Sequence, residues 1–224
     1  MITVLGMGFV GLTTALGLCE KKQIVYGYDI NKEKIEKLKR GEIPFYEPHL
    51  KNYLEKHLGE NLKLVNNLES AIENSHIIFF CMGTPSKENG SCNLEYMFNG
   101  IDETLKCMKN KPHKVFVIKS TIPPSTTEQE IIPYIKSLGF KVGEDLGIVN
   151  NPEFLREGHA WNDFMNPDRI IIGESDKKSG DLIEELYQLF HAPIFRVSLN
   201  TSEFTKYLSN KLLASLIVSQ MNFP

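Results

Sequence analysis

The feature that most constrains the fold is a glycine pattern between a short apolar segment and an apolar helix. Residues 1–5 are apolar and rich in β-branched side chains, which is typical of a fully buried strand. They lead directly into Gly6, Gly8 and Gly11, in the spacing G-x-G-x-x-G, and then into residues 12–18, which have the spacing of a buried helix. The order of strand, glycine turn and helix predicts the first unit of a parallel sheet covered by helices.

The glycines indicate a chemical role as well as a turn. Gly6 permits a tight turn, Gly8 lets backbone N–H groups approach a pyrophosphate, and Gly11 lets the helix pack close to the strand. A second strand, residues 23–28, ends in Asp29, about twenty residues beyond the glycines, where the ribose hydroxyls of a dinucleotide are expected. Glycines alone often mark a simple turn, but the strands, the helix and the acid in this order favour a dinucleotide site. The carboxylate of Asp29 would also repel a 2′-phosphate, which favours NAD over NADP.

Strands and helices alternate along the rest of the chain. Strands are predicted at residues 62–65, 76–81, 115–118, 146–149, 169–172 and 194–197, and helices at 31–40, 48–58, 68–73, 94–108, 126–137, 180–190 and from 202 to the end. Asn31 is placed as the N-cap of the second helix, and Pro133 is expected to kink or divide the helix that contains it. The alternation predicts an α/β fold, with a doubly wound, mostly parallel, Rossmann-like sheet over residues 1–199, followed by the start of a long connecting helix over 200–224.

Composition and charge argue against several classes of function. The chain of 224 residues is 42% hydrophobic, enough for a full core, and its formal net charge of −3 with no basic stripe argues against a nucleic-acid partner. No apolar run reaches membrane-spanning length and no signal-peptide pattern opens the chain, so no membrane association is expected. The four cysteines are scattered without a C-x-x-C pair, which indicates reduced thiols in a cytoplasmic protein. The histidines have no ligand-like spacing, so no metal site is predicted.

Polar loops follow two of the predicted strands at the carboxyl edge of the sheet. Met82-Gly83-Thr84-Pro85 comes after one strand, and Lys119-Ser120-Thr121-Ile122-Pro123-Pro124 comes after the next. In an open parallel sheet ligands bind at this edge. Both loops are therefore expected to border the dinucleotide site.

Charged and polar residues further along the chain are candidates for catalysis. Lys206 and Asn210 are four residues apart and share one face of the predicted last helix, where an ammonium and an amide could stabilise an oxyanion and orient a water. Glu153 and Glu157 have the same spacing and would share a face if their stretch is helical, so that one of them could act on water as a general base. The alternatives are a solvated helix face for the first pair and a charged surface turn for the second.

Five segments together resemble the UDP-glucose/GDP-mannose dehydrogenase family. They are Gly8-Phe9-Val10-Gly11-Leu12, Gly83-Thr84-Pro85, Ser120-Thr121-Ile122-Pro123-Pro124, Asn151-Pro152-Glu153-Phe154-Leu155-Arg156-Glu157-Gly158 with Asp163-Phe164 and Pro167-Asp168-Arg169 after it, and the helix from Ser202 to Asn210. Their order along the chain makes the resemblance much more specific than any one segment. Small departures are Phe9 for the usual Tyr and Ser125 for a common Gly, and neither removes a functional group.

The resemblance implies a four-electron oxidation in which the primary alcohol of a nucleotide sugar becomes a carboxylate and two NAD⁺ are reduced. UDP-glucose, oxidised to UDP-glucuronate, is the favoured substrate because Pro167-Asp168-Arg169 and the following Ile run look more like that branch, although residues 83–87 fit the GDP-mannose branch equally well. The family's nucleophilic cysteine lies in a G-G-x-C-x-P-K-D motif that this chain lacks. Its four cysteines are therefore interpreted as structural or incidental thiols.

The resemblance also assigns roles to individual residues. Thr121 would contact the nicotinamide or the catalytic water, and Thr84 would line the cofactor site. Lys34 could reach the adenosine ribose, although it could also be an ordinary surface lysine. The predicted cofactor-binding residues are Gly6, Gly8, Phe9, Val10, Gly11, Asp29, Lys34, Gly83, Thr84, Pro85, Ser120, Thr121 and Glu157. The predicted substrate-binding residues are Glu153, Phe154, Leu155, Arg156, Lys206 and Asn210, and the predicted catalytic residues are Thr121, Glu153, Glu157, Lys206 and Asn210.

The resemblance further implies that this chain is the amino-terminal part of a longer enzyme. The apolar last helix would join the cofactor domain to a nucleotide-sugar domain that is absent here, and it would carry the contact of a homodimer. Two other interpretations are a β-hydroxyacid dehydrogenase, which leaves residues 153–158 unexplained, and a truncated, non-catalytic NAD-binding module. The chain alone is expected to bind NAD without complete turnover.

Overall fold

The computed structural model describes residues 1–108 and 113–221. Its strands form one eight-stranded sheet in the order β3-β2-β1-β4-β5-β6-β7-β8. The strands are β1 (Ile2–Leu5), β2 (Val25–Tyr28), β3 (Leu62–Leu64), β4 (Ile77–Phe80), β5 (Lys114–Ile118), β6 (Leu146–Asn150), β7 (Ile170–Glu174) and β8 (Ile194–Ser198). The helices are α1 (Phe9–Glu20), α2 (Lys32–Lys39), α3 (Leu50–His57), α4 (Leu68–Asn74), α5 (Glu95–Cys107), α6 (Ile132–Ser137), α7 (Ala160–Met165), α8 (Lys177–Gln188) and α9 (Leu199–Met221). The doubly wound, mostly parallel sheet is confirmed.

Two apolar cores lie on opposite faces of the sheet. Successive strand residues point to opposite faces, so Val4 and Phe79 enter one core while Leu5 and Phe80 enter the other. Helices α1, α2, α3, α7 and α8 cover the first face, and α4, α5 and α6 cover the second. The predicted buried strands are therefore apolar on both sides because both sides carry helices.

The strand β7 runs antiparallel to β6, whereas the other neighbouring strands are parallel. An antiparallel neighbour can return from the edge at which the preceding strand ends, without crossing the sheet. Residues 151–169 therefore remain at the carboxyl edge of β6, the edge that also holds the glycine turn. This reversal brings the stretch 151–158 to the predicted site. No local sequence pattern predicted that β7 would run antiparallel to β6.

Several helix boundaries differ from those predicted. The short helix α7 was missed, and α8 begins at Lys177 because the carboxylate of Asp176 accepts the Ser179 N–H at 2.9 Å and caps the helix. Pro133 does divide its helix, since a π-helical segment over Thr127–Ile131 precedes α6. The last helix begins at Leu199, and the final residues of its predicted range, 222–224, lie outside the described part of the chain.

In the described ranges, no helix has both the length and the apolarity needed to cross a bilayer. Asn31 caps α2 as predicted, because its side-chain oxygen accepts the Lys34 N–H at 3.0 Å.

Candidate dinucleotide and catalytic site

The glycine turn has the geometry that its sequence predicts. Gly6 has a φ of +88°, in the left-handed region, and a Cβ at this position would lie 2.9 Å from the Cys81 carbonyl oxygen. A Cβ on Gly11 would lie 1.8 Å from the carbonyl oxygen of Gly6, so the helix approaches the turn too closely for any side chain. Around Gly8, by contrast, a Cβ would meet nothing within 4 Å. The turn therefore leaves open space beside Gly8 alone.

The N-terminus of α1 faces this open space without a capping side chain. Gly8 is the N-cap residue, no side chain caps the helix, and its first turn carries no acidic residue. The first N–H groups of a helix have no partner within the helix and favour an anion. Open space, free N–H groups and partial positive charge are together what a pyrophosphate requires.

Asp29 is buried and already holds the site together. Its Oδ2 accepts the Met7 N–H at 2.8 Å and the Lys34 ammonium at 2.6 Å, while Oδ1 accepts the Asn31 N–H at 2.9 Å. Lys34 is thus paired with Asp29 rather than free on the surface, which places its ammonium beside the expected ribose position. The bond to Met7 was not predicted, and it joins the glycine turn to the end of β2.

A cavity of about 310 Å³ connects these groups. Among the predicted cofactor residues it is lined by Gly6, Gly8, Asp29, Lys34 and Gly83. Its far wall comes from α4 and α5 and includes Leu68, Tyr96, Asn99, Gly100 and Glu103. Sequence reasoning missed this wall because no local motif marks it, and only the sheet order brings α5 opposite β2. Phe9, Val10 and Gly11 lie outside the lining, and the Phe9 ring packs edge-on against Phe45 with centroids 5.8 Å apart.

The two polar loops after β4 and β5 are bonded to each other. The Thr84 hydroxyl donates to the Thr121 carbonyl oxygen at 2.8 Å, and the Ser120 hydroxyl donates to the Met82 carbonyl oxygen at 2.6 Å. These bonds hold the loops in one arrangement at the carboxyl edge. Thr84, Pro85, Ser120 and Thr121 do not line the cavity beside Gly8 or the one described next.

A second cavity, of about 440 Å³, lies between residues 151–170 and α9. In its wall the Lys206 ammonium pairs with the Glu153 carboxylate at 2.8 Å, and the two side chains are only 7% and 14% exposed. Asn210 lines the same cavity one helical turn further along. The structure therefore brings together Glu153, Lys206 and Asn210, which are distant in sequence.

Aromatic and cationic groups surround this ion pair. The Phe154 ring has the Arg169 guanidinium 4.3 Å from its centroid and the Lys206 ammonium 5.4 Å from it. Phe154, Leu155 and Arg156 all line the cavity, and the Arg156 side chain is held by a two-point contact with Asp163. The wall thus carries two cations packed against one aromatic ring.

Lys119 is a buried cation that sequence reasoning did not single out. Its ammonium donates to the Asn151 side-chain oxygen at 2.9 Å and lies 3.4 Å from the Tyr187 hydroxyl. Burial lowers the pKa of Lys119 to about 8, against a smaller opposing effect of nearby Cys81 and Glu153. Through its bond to Asn151, Lys119 holds the start of the 151–158 stretch against the end of β5. Lys119 also lines the second cavity.

The helical arrangement of Glu153 and Glu157 is not found. Residues 151–156 have no regular secondary structure and residues 157–159 form a turn, so the two carboxylates do not share a helix face. The Glu153 carboxylate instead accepts the Leu155 N–H at 2.6 Å, a local bond that competes with helix formation. Glu157 is exposed and lies outside the lining of both cavities.

A carboxylate that the sequence did not predict as part of the site, Glu47, fixes the end of the 151–158 stretch. Glu47 is buried, and its two oxygens accept the N–H groups of Gly158 and Ala160 at 2.9 and 2.8 Å. It therefore caps the N-terminus of α7 from a loop more than a hundred residues earlier. The only available signal was a glutamate between two prolines, which says nothing about its partner.

The two most buried cysteines are poor nucleophiles. Burial raises the pKa of Cys81 to about 12, and burial with the charge of Glu20 does the same for Cys19. All four cysteines are free thiols. Within the described residues, no group of three or more His, Cys, Asp or Glu side chains is arranged to hold a metal ion.

The sheet, the glycine turn and the buried acid at the end of β2 define a dinucleotide-binding domain. Residues 1–191 match the NAD binding domain of the UDP-glucose/GDP-mannose dehydrogenase family. The chain therefore belongs to this family. The residues around the cavity beside Gly8, namely Gly6, Gly8, Asp29 and Lys34, form a dinucleotide cradle that fits NAD.

Curated relatives and solved structures agree with this assignment. UDP-glucose 6-dehydrogenase TuaD of Bacillus subtilis is 39% identical over 96% of this chain and 46% of its own length. GDP-mannose 6-dehydrogenase of Pseudomonas aeruginosa is 36% identical over 93% of this chain and 49% of its own length. A crystal structure of a ternary complex of the GDP-mannose dehydrogenase from that organism superposes with a TM-score of 0.92 at 35% identity, covering 96% of this chain and 50% of the other. The chain thus spans about half the length of these proteins.

Proposed function

We propose that this chain is the NAD-binding part of an NAD-dependent nucleotide-sugar 6-dehydrogenase that oxidises UDP-glucose to UDP-glucuronate. The observation that carries the proposal is the buried pair of Lys206 and Glu153, which lies with Asn210 at the same sheet edge as the dinucleotide cradle. A module that only binds NAD has no need of two nearly buried opposite charges beside an open cavity. Because removing two charges from water is costly, a nearly buried pair beside a cavity favours a functional role over a purely structural one.

The cofactor would bind at the carboxyl edge of the sheet, beside β1 and β2. The free N–H groups at the start of α1 would hold the pyrophosphate, and Asp29 with Lys34 would bind the ribose hydroxyls. When bound, NAD⁺ supplies the hydride acceptor for the alcohol. The loops that contain Gly83, Thr84, Pro85, Ser120 and Thr121 lie further along the same edge, so they would border the nicotinamide end.

The chemical roles follow from the cavity between residues 151–170 and α9. Lys206 presents an ammonium that would stabilise negative charge developing on the substrate oxygen, and Asn210 would orient a water or the substrate hydroxyl. Glu153, already bonded to Lys206, is placed to accept a proton from that hydroxyl or water. Phe154, Leu155 and Arg156 line the same cavity, and their backbone would hold the sugar nucleotide. Glu157 is exposed and lines neither cavity, so it would contact only a ligand or a protein segment that covers it from the solvent side.

The sequence pattern favours UDP-glucose over GDP-mannose. Pro167-Asp168-Arg169 followed by the Ile run of β7 resembles the UDP-glucose branch, and Arg169 packs on Phe154 in the cavity wall. The identities of 39% to the UDP-glucose enzyme and 36% to the GDP-mannose enzyme differ too little to choose between them. The substrate assay below therefore includes both sugars.

The long helix supports the two-part organisation and the dimer. We assign residues 1–199 to the cofactor domain and 200–224 to the start of a connecting helix. Beyond Lys206 the exposed side chains of α9 include Leu212, Leu213, Leu216 and Ile217, and such an apolar face is normally covered. We propose that this face contacts a second copy and the nucleotide-sugar domain in the full-length protein.

The free thiols fit a cytoplasmic location.

Two measurements test the proposal. Titration calorimetry of the 224-residue chain is expected to show binding of NAD⁺ and much weaker binding of NADP⁺, because Asp29 would face the 2′-phosphate. An assay of NADH formation with UDP-glucose, GDP-mannose and a β-hydroxyacid is then made on this chain and on one extended to the length of its relatives. Complete oxidation of UDP-glucose is expected only from the longer chain. Turnover of the hydroxyacid instead, or no NAD⁺ binding at all, would overturn the proposed function.

A further inference from the structure

Glu203 is a buried carboxylate that the proposed chemistry does not use. It lies on α9 three residues before Lys206 and is 2% exposed. Its Oε1 accepts both the backbone N–H of Thr127 at 2.9 Å and the Thr127 hydroxyl at 2.5 Å. Its Oε2 is buried and has no hydrogen-bond partner among the described residues. Burial raises the pKa of Glu203, and the contacts with Thr127 and Ser125 oppose that rise.

The contact fixes one end of the loop that contains Thr121. Thr127 begins the π-helical segment in which this loop ends, and a carboxylate at a helical N-terminus satisfies N–H groups that have no other partner. Ser125, just before it, has a φ of +71°, a conformation that costs energy for a residue with a side chain. The Ser125 hydroxyl donates to the Asn200 side-chain oxygen at 3.1 Å, so α9 holds this end of the loop at two points.

The same stretch of α9 is fixed to the end of β6. The Ser202 hydroxyl donates to the Asn150 side-chain oxygen at 2.6 Å, and a Cβ on Gly173 would lie 2.5 Å from the Cβ of Ser202. The helix is therefore packed closely on β6 and β7 at this point. One turn later Lys206 pairs with Glu153. A single rigid helix thus bonds both the Thr121 loop and the 151–158 stretch.

We propose that Glu203 is a positioning residue, which fixes the Thr121 loop relative to Lys206 and Glu153 and so sets the nicotinamide end of the cofactor site. The proposal rests on the proposed function, because that function places Thr121 beside the nicotinamide. Glu203 lines neither of the two cavities. It acts through Thr127 and Ser125.

The test compares two ligands that share the amino-terminal cradle. ADP-ribose has the adenosine, pyrophosphate and ribose of NAD⁺ but lacks the nicotinamide, so the loop should matter for NAD⁺ alone. In calorimetric titrations of the 224-residue chain, Glu203→Ala is expected to weaken NAD⁺ binding about tenfold and to change ADP-ribose binding less than about twofold. Glu203→Gln keeps the oxygen that accepts both Thr127 bonds, and it is expected to restore NAD⁺ affinity to within about threefold of the parent.

A matched control separates positioning from stability. Asp176 accepts the Ser179 N–H and the Ser179 hydroxyl, the same pair of bonds, at the start of α8. Asp176→Ala is expected to lower the stability of the chain while leaving the ratio of NAD⁺ to ADP-ribose affinity unchanged. A Glu203→Ala variant that weakens both ligands equally, or neither, overturns the positioning role.

Three further outcomes are also decisive. If Glu203→Ala does not fold, Thr127→Val removes the hydroxyl donor alone, and an unchanged affinity ratio in that variant overturns the proposal. If the parent chain binds ADP-ribose and NAD⁺ equally well, the nicotinamide gains nothing from the loop, and this overturns the positioning role while the cradle remains supported. If the parent binds neither ligand, the proposed function itself fails, and the positioning role fails with it.

Discussion

The two halves of the site are built in different ways. The dinucleotide cradle around Gly6, Gly8 and Asp29 is formed by residues close in sequence, and its bond from Met7 to Asp29 spans 22 positions. The proposed catalytic half, around Glu153 and Lys206, depends on distant segments, since Thr127 and Glu203 are 76 positions apart and Gly158 and Glu47 are 111 apart. Backbone geometry defines the first half, and buried charges define the second. Substitutions in the cradle should therefore destabilise the chain by steric clash, whereas substitutions in the other half should destabilise it by leaving a buried charge without its partner.

The largest effect is expected from Gly11→Ala, because the new Cβ would lie 1.8 Å from the backbone oxygen of Gly6. Neither the helix nor the turn can move without separating α1 from the sheet, so the free energy of unfolding should fall by about 4 kcal/mol or more. Urea denaturation followed by circular dichroism measures it. Gly8→Ala is the control, since its Cβ meets nothing within 4 Å, and this variant should keep its stability but bind NAD⁺ more weakly. Equal stability of the two variants would contradict the steric account of the cradle.

Lys206→Met is expected to have the next largest effect, this time in the catalytic half. It leaves the Glu153 carboxylate nearly buried without its partner, which should cost about 3 kcal/mol of unfolding free energy. NAD⁺ affinity, measured by calorimetry, should stay within about twofold of the parent value, because the cradle is separate. The double variant Lys206→Met/Glu153→Gln should regain about 1 to 2 kcal/mol, since no charge is then left unpaired. If Lys206→Met weakened NAD⁺ binding as much as Gly8→Ala does, the two halves would not be independent.

Lys119→Met sharpens the comparison through pH. Burial lowers the pKa of Lys119 from its ordinary value of 10.5 to about 8, so between these values the unfolded chain binds more protons than the folded one. The stability of the parent should therefore rise relative to the variant as the pH increases from about 8 to 10.5, by about 3 kcal/mol. Below about pH 7, where Lys119 is protonated in both the folded and the unfolded chain, the difference in stability between the two chains should be constant. Thermal melts across this range measure the effect, and a difference that did not change with pH would show that Lys119 is not held in a desolvated position.

The smallest effect is expected at Ser125, where the structure has a serine at a φ of +71°. Ser125→Gly relieves that strain but loses the bond to Asn200, whereas Ser125→Ala keeps the strain and loses the same bond. The glycine variant should consequently be more stable than the alanine variant by about 1 kcal/mol, measured by urea denaturation. Equal stabilities would mean that the loop can relax around an alanine.

Local sequence determined most of the helices and strands, as well as the glycine turn and the buried acid that form the cradle. The strand from Ile2 to Leu5, the glycine turn and Asp29 follow from short-range rules of chain geometry, so their roles could be read without a structure. Pro133 divided its helix as expected because a proline lacks the N–H that the helix needs. The spacing of Lys206 and Asn210 made them candidates, the resemblance to a known family favoured them over a solvated helix face, and the structure placed both in one cavity wall.

Only the tertiary structure decided which distant groups meet. The antiparallel return of β7 keeps residues 151–169 at the carboxyl edge, and this places Glu153 against Lys206 rather than on a helix beside Glu157. The burial and the partners of Glu47, Lys119 and Glu203 could not be predicted from the sequence, because the order of the strands decides which distant groups a buried charge meets. Sequence patterns report the conformation of neighbouring residues, whereas the free energy of a buried ion pair depends on contacts across the fold.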